Sequence, residues 1–411
     1  MAGTGVRRSV AQRERVERRR AVRHHAMAVA ASAVVAVSTV TGVLTATAGG
    51  DGRDTARPGT TRSPVLVPLP AVPAPAAATS LVPSPSPSPP SVVLSAPPGP
   101  SRTAAPATPS AAVPGSGSPE RAGPVNATLH RHPASQVLDW VAAHRDDPRR
   151  PLIESRIAAR PAAVWFAAYN PGAVTGEVRA VTAGAAEAGR VPVLVPYAIP
   201  DRDCGGASQG GAPDLAAYDG WIREFAAGLG GGASIVVLEP DSVALSDCLD
   251  AAARAARYAS LARAARTIHA ASPKARVYFD AGHSGWHPAE RQADLLRAAG
   301  AASSGDGVFT NVANFHRTAD EAAYARRVLA ALGGPARLGA VIDTSRNGNG
   351  APAAGQWCDP AGRALGRAPT TDTGEARIDA YLWVRLPGES DGCTGAAGSF
   401  APDVAYELAT G

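Results

Sequence analysis

None of the four cysteines in this 411-residue chain stands in a CxxC spacing, so a clustered zinc site is not expected. No GxSxG elbow joins a strand to a helix, which argues against a Ser-His-Asp hydrolase. No recognisable metal motif or nucleotide-binding loop occurs either, and no cofactor is expected. The bulk of the chain also lacks a charge excess. Eight arginines against Glu14 and Glu17 give the first 25 residues a charge of +6, and subtracting this from the whole-chain +5 leaves −1. The basic character belongs to a tail, so it does not imply a nucleic-acid-binding body, and no nucleic-acid partner is expected.

Residues 26–48 (AMAVAASAVVAVSTVTGVLTATA) are uncharged and apolar behind that basic tail of residues 1–25. They read as a secretory signal with Ala46-Thr47-Ala48 at its cleavage site, or as an uncleaved anchor long enough to span a bilayer. Either places the body outside the cytoplasm, secreted or anchored to the outer face of the membrane. Residues 49–125 follow as a linker, rich in Pro, Ala, Ser and Thr with runs such as PSPSPSPP. Too few large apolar side chains are present there to offset the entropy of ordering, so a disordered tether is expected. One globular domain remains, residues 126–411, long enough for a substantial core and expected to be monomeric. An even cysteine count in an exported chain points to disulfides, and Cys204, Cys248, Cys358 and Cys393 allow three pairings.

The body alternates apolar runs with Ala- and Arg-rich helical stretches, the pattern of repeated βα units. Strands are predicted at 162–169, 191–198, 234–240, 276–280, 307–312, 338–344 and 380–386, and the clearest helices at 217–229, 249–271 and 320–332. A parallel barrel and a doubly wound sheet both fit this order. Asp203, Asp241, Asp280, Asn311, Asp343 and Asp391 each stand at or just past a strand's C-terminal end, the edge where ligands bind in α/β folds. Asp343 and Asp280 are expected to be helix caps. The stretch LVPYAIPDRDCGG (194–206) is the most pointed case, because an apolar strand there runs into Asp201, Arg202 and Asp203 and then Cys204.

Paired carboxylates without a metal motif suggest glycoside hydrolysis, in which one acid protonates the leaving oxygen and a second carboxylate assists water or attacks carbon. Trp165, Trp286 and Trp357 are placed to stack on sugar rings. The motifs PDRDCGG (200–206), VVLEPDS (236–242), YFDAGHSGWH (278–287), VIDTSRNGNG (341–350), QWCDPAGRALG (356–366) and LWVRLPGESDGC (382–393) resemble, in order, those of glycoside hydrolase family 6. The resemblance covers the body from Trp165 onward, not the tail or linker. It implies a distorted seven-stranded parallel β/α barrel, and so the barrel over the open sheet, acting on β-1,4-glucan with inversion.

By resemblance, Asp241 is the general acid, and Asp203 is the neighbouring carboxylate that keeps its pKa high and organises the attacking water, with Ser208 in the same water network. Tyr197 matches the tyrosine that crowds the sugar at the cleavage point. Asp391 matches a candidate base, Glu389 a substrate-binding acid, and Trp165, His283, Trp286, Asn314 and Trp357 the lining of the glucan cleft. The resemblance also pairs Cys204 with Cys248 and Cys358 with Cys393, and loops of that length stabilise by roughly 4 kcal/mol each in the chain-entropy view. One departure stands out: Arg385 occupies a position where the family usually has lysine, and its larger planar fork is expected to shift glucan contacts. The few insertions between motifs favour an open cleft and endo cleavage. The alternatives are exo-acting cellobiohydrolase chemistry and a catalytically weak glucan-binding protein at the cell surface.

Overall fold

A computed structural model describes residues 127–411. The basic tail, the signal or anchor segment and the linker lie outside the described residues. Seven parallel strands form one sheet in chain order: β1 (Val164–Phe166), β2 (Val193–Pro196), β3 (Ser234–Leu238), β4 (Ala275–Asp280), β5 (Gly307–Thr310), β6 (Gly339–Asp343) and β7 (Ile378–Leu382). Nine α-helices accompany them among the described residues: α1 (Gln136–Ala143), α2 (Arg150–Ile153), α3 (Val174–Glu187), α4 (Leu215–Gly228), α5 (Ala251–Ala271), α6 (Ala289–Ala298), α7 (Ala301–Ser304), α8 (Thr318–Leu332) and α9 (Pro402–Thr410). Two of these begin at aspartate caps. Asp214 accepts from the Ala217 N–H and Asp250 from the Ala253 N–H, each at 2.8 Å, satisfying donors that a helix start leaves free.

Side chains alternate along each strand with period two, and both faces are apolar. In β3, Ile235 and Val237 join Val193, Val195, Tyr278, Phe309 and Val341 inside the curled sheet. Val236 and Leu238 point the other way, into the larger cluster formed with the helices. Burial on both faces explains why the strands read as continuous apolar runs. The curl brings β1 and β7 together without a strand ladder. Ala163 N–H donates to the Trp383 carbonyl at 2.9 Å, and Trp165 Nε1 to the Val384 carbonyl at 2.7 Å. This seam is covered by α1, whose Val137, Trp140 and Val141 pack with Trp383 and Leu386.

All seven predicted strands are present, but the last is displaced, at 378–382 rather than 380–386. Its partner β6 ends at Asp343, opposite Leu382, and Trp383 and Leu386 beyond that point pack against α1 instead of continuing a ladder. Where β5 passes β6 the backbones come so close that a Cβ on Gly307 would sit 1.8 Å from the Gly339 carbonyl oxygen. Gly307→Ala is therefore expected to lower stability by about 3 kcal/mol, the upper range for overpacking a rigid site. A thermal melt within a degree or two of the parent would contradict this close approach.

Candidate active site

The strand exits are conformationally strained. Asp201, Asp203 and Cys204 after β2, Glu239 and Asp241 after β3, and Asn311 and Ala313 after β5 all have positive φ, between 48° and 68°, a region non-glycine residues enter at a cost. Buried carboxylates hold these turns. Glu239 accepts the Ala198 and Ile199 N–H groups, each at 3.0 Å, and burial pushes its carboxyl up to about 7 in spite of them. Asp280 accepts from Val243, Ala244 and Gly282, at 3.1, 2.8 and 2.9 Å. Asp343 accepts from Ala313, Ser345 and Arg385, at 3.0, 2.9 and 3.2 Å. Asn311 Nδ2 donates to the Asp343 carbonyl at 2.9 Å. Asp280 and Asp343 are thus not the helix caps expected from sequence. Long loops separate these strand ends from the next helices, and the carboxylates satisfy loop N–H groups instead.

Of the six polar residues at the rim, Asp203, Asp241 and Asp391 reach a cleft of about 950 Å³, while Asp280, Asn311 and Asp343 form a buried layer beneath it. Burial raises Asp241 well above the carboxylate range, and the charges of Asp280 and then Asp203 add to the effect. The sequence assigned that influence to Asp203 alone. Burial comes first because the half-buried acid has lost most of its water, and Asp280, itself raised by burial, is the stronger like-charge neighbour.

Asp203 sits in a short turn whose Ser208 N–H donates to its Oδ2 at 2.7 Å. Arg202, the middle residue of the DRD stretch, ties the turn down: Nε donates to the Ser208 carbonyl at 2.8 Å, and Nη1 to the Ala167 carbonyl at 2.7 Å and the Tyr197 carbonyl. Gly206–Gly210 reads GASQG and so matches GxSxG in letters. It lies in an exposed turn rather than between a strand and a helix, so it is not a nucleophile elbow. Cys204–Cys248 and Cys358–Cys393 are both bonded, the two pairings the resemblance implies.

Asp391 is held between two arginines. Arg346 grips it bidentately, Nη1 to Oδ2 at 2.8 Å and Nη2 to Oδ1 at 3.0 Å, and Arg385 Nη2 lies 3.2 Å from Oδ1. Asp359 and Asp391 also exchange bonds, the Asp359 N–H to Asp391 Oδ2 at 3.0 Å and the Asp391 N–H to Asp359 Oδ1 at 2.6 Å. Burial works to raise the Asp359 carboxyl, but donors from Ser390, Asp391 and Thr394 outweigh it and hold the group well below its ordinary range. Arg385, expected to alter glucan contacts, spends its fork on this loop, donating to the Ser390 carbonyl at 2.5 Å. Burial pushes Glu389 up to about 7, against the pull of Arg385 and Arg346.

Aromatic rings edge the same cleft. Tyr197 packs edge-on against Trp165 at 5.3 Å, with the Arg202 guanidinium 4.5 Å from the centre of the Tyr197 ring. Burial first, then Asp241 and Asp203, raise its hydroxyl pKa and keep it neutral. His283 stacks on His316 at 4.3 Å and touches Trp286. Burial pushes it down to about 4, helped by His316 and His287, so it too is neutral. Trp357 is 57% exposed on the rim. Asn314, Ser208, Arg385 and Glu389 complete the lining, so every non-cysteine residue to which the resemblance gave a catalytic or glucan-binding role faces one cleft. Glu239, Arg346 and Asp359 were not singled out. Each lies inside a quoted motif, but the signal there is a partner distant in sequence. Among the described residues no group of His, Cys, Asp or Glu is arranged to hold a metal ion.

A raised carboxylic acid beside a second carboxylate, in an aromatic-edged cleft at the C-terminal end of a parallel barrel, defines a glycoside hydrolase. Residues 125–407 match the model of the glycosyl hydrolases family 6, and the chain belongs to that family. It is 54% identical over 276 residues to endoglucanase 1 of Streptomyces sp. strain KSM-9, covering 67% of this chain and 76% of that one. It is 50% identical over 292 residues to endoglucanase A of Thermobispora bispora, covering 70% and 64%. The endoglucanase Cel6 of Mycobacterium tuberculosis, solved with a methyl-cellobiosyl thio-cellobioside, superimposes with a TM-score of 0.65 at 39% identity, covering 70% of this chain and 99% of that one.

Proposed function

We propose that this protein is an inverting endo-β-1,4-glucanase in which Asp241 is the general acid. The observation that carries this reading is the placement of half-buried Asp241 in the wall of one cleft together with Asp203, where lost solvation and the charges of Asp280 and Asp203 raise its pKa and favour the protonated acid. Protonated Asp241 donates to the glycosidic oxygen as the bond to the anomeric carbon breaks. Water enters from the opposite face of the ring, oriented by Asp203 in the turn it shares with Ser208, and the proton it sheds on bonding to the anomeric carbon passes through neighbouring water to solvent, from which Asp241 is reprotonated. Tyr197, neutral and braced by Trp165 and Arg202, crowds the sugar and favours its distortion. Both Asp391 oxygens are occupied by arginine, which suits charge balance and loop positioning better than proton abstraction. Trp165, Trp286 and Trp357 offer stacking platforms, with His283 against Trp286 and Asn314 in the same lining. Endo action is supported by the exposed rim at Trp357 and by relatives named endoglucanases. Residues 26–48 would export or anchor the domain, and residues 49–125 would tether it. Anomeric configuration followed by NMR during cello-oligosaccharide hydrolysis tests inversion, and the fall in viscosity per reducing end on soluble cellulose tests endo cleavage. First-formed β-anomer, or release of cellobiose alone, would overturn the respective claim.

Asp203→Asn gives a pH test with a defined sign. The acid works protonated, so its pKa sets the alkaline limb of the rate profile. Removing a like charge lets Asp241 ionise at lower pH and moves that limb toward acid. The move should be modest, because burial and Asp280 rank above Asp203 among the causes. Overall rate should also fall, since the attacking water loses an orienting carboxylate. An unmoved limb with parental rate would remove Asp203 from the site.

A further inference from the structure

Four consecutive residues after β2 are clamped by two buried side chains of opposite charge. Glu239, which follows β3, accepts the Ala198 and Ile199 N–H groups, each at 3.0 Å. Arg257, on the buried face of α5, donates from a single nitrogen, Nη2, to the carbonyls of Pro200 at 2.8 Å and Asp201 at 3.1 Å. Arg257 belongs to none of the cleft motifs and is withdrawn from solvent. Burial lowers its pKa, and Asp201, then Glu239 and Tyr258, act against that fall. The Asp201 carbonyl also accepts the Cys204 N–H at 3.3 Å, which closes the turn whose third residue is Asp203.

That turn needs an external hold. Asp201 and Asp203 have φ of 51° and 59°, and non-glycine residues persist in this left-handed region only where their surroundings fix them. A cation on two successive carbonyls supplies charge-assisted hydrogen bonds, stronger than those of a neutral donor. Arg202 and the Cys204–Cys248 bridge fix the turn further on, whereas Arg257 fixes the peptides that enter it. We propose that Arg257 is a positioning residue of the glucanase reaction: from α5 it sets the entry of the Asp203 turn and so the placement of Asp203 beside Asp241. This rests on the glucanase reading above and adds to it a group outside the cleft lining.

The alkaline limb of the rate profile against pH tests it, because the position of the limb does not depend on how much protein is folded. Asp241 is faced by Asp280 from β4 and by Asp203 and Tyr197 from the β2 exit. In Arg257→Met the turn loosens and Asp203 withdraws from Asp241. The limb should then move toward acid, as in Asp203→Asn and no further. Loss of a positive charge acting through its field alone would move the limb toward alkali, so the sign separates placement from field. Turnover on cellotetraose should fall about ten- to a hundredfold, the scale on which a misplaced group acts. Arg257→Lys keeps a charged donor for the two carbonyls and should restore the parental limb and most of the rate. Arg257→Gln, with a neutral donor, should fall between the parent and Arg257→Met, and it serves as the test if Arg257→Met does not fold. In the Asp203→Asn background, Arg257→Met should move the limb no further. An unmoved or alkali-shifted limb, or an acid shift added to that of Asp203→Asn, would overturn the positioning role and leave the glucanase reading intact. A parent that cleaves no cello-oligosaccharide would overturn the glucanase reading and the positioning role with it.

Discussion

Asp241→Asn should lower turnover on unactivated β-glucan by two to four orders of magnitude, on the order of what a positioned proton donor contributes. Asparagine keeps the shape of the side chain and cannot supply the proton. An aryl cellobioside with a dinitrophenolate leaving group needs little protonation and should lose far less, so the ratio of the two losses identifies the role rather than mere damage to the site. Oligosaccharide binding should persist, because the cleft is formed by Trp165, Trp286, Trp357 and the loops after β2, β4 and β7. Equal losses on both substrates would point to a general loss of the site, and parental turnover on glucan would remove Asp241 from the acid role.

Arg346→Ala should be among the most destabilising single changes in the domain. The Arg346 and Asp391 side chains are only 7% and 6% exposed, so solvent does little to screen the charge left behind. Breaking such a pair typically costs about 3–5 kcal/mol, because one charge remains buried and uncompensated. Arg385, 3.2 Å from the same carboxylate, should hold the loss toward the lower end. The double variant Arg346→Met/Asp391→Leu should recover part of the stability, since Arg346 and Asp391 leave together and only Arg385 loses a carboxylate partner, yet stay poorly active because the loop carrying Glu389 loses its anchor. Urea unfolding of the parent, both single variants and the double variant measures the coupling. A loss near 1 kcal/mol or less for Arg346→Ala would place the pair with ordinary exposed ion pairs.

The balance of burial and charge also explains what a sequence cannot rank. The like-charge influence on Asp241 was expected from Asp203, the carboxylate whose motif is most conspicuous. Asp280 stands closer in effect because β3 and β4 are adjacent strands that end side by side, opposite Leu238 and Phe279 in the ladder. Sequence separation between Asp241 and Asp280 gives no hint of this. Arg385 illustrates the same limit. Its place in a position usually held by lysine is visible in the motif, but the direction of its fork toward the Ser390 carbonyl depends on how the loop after β7 folds.

Local chemistry alone was enough for the seven strands, three long helices and the polar residues at the strand exits, while the resemblance of the motifs supplied the residues expected to line the cleft. Strands buried on both faces must be apolar throughout, helices need their periodic small and apolar positions, and a site at the strand exits leaves polar residues at the ends of those runs. Tertiary structure alone decided which carboxylates reach the cleft and which lie beneath it, that Asp391 is gripped by Arg346 and clasped by Asp359, and that the seam between β1 and β7 is covered by α1. Those outcomes depend on contacts between residues tens to hundreds of positions apart and on how much water each carboxylate loses. The curvature of the whole sheet sets both quantities, and no short stretch of sequence records it.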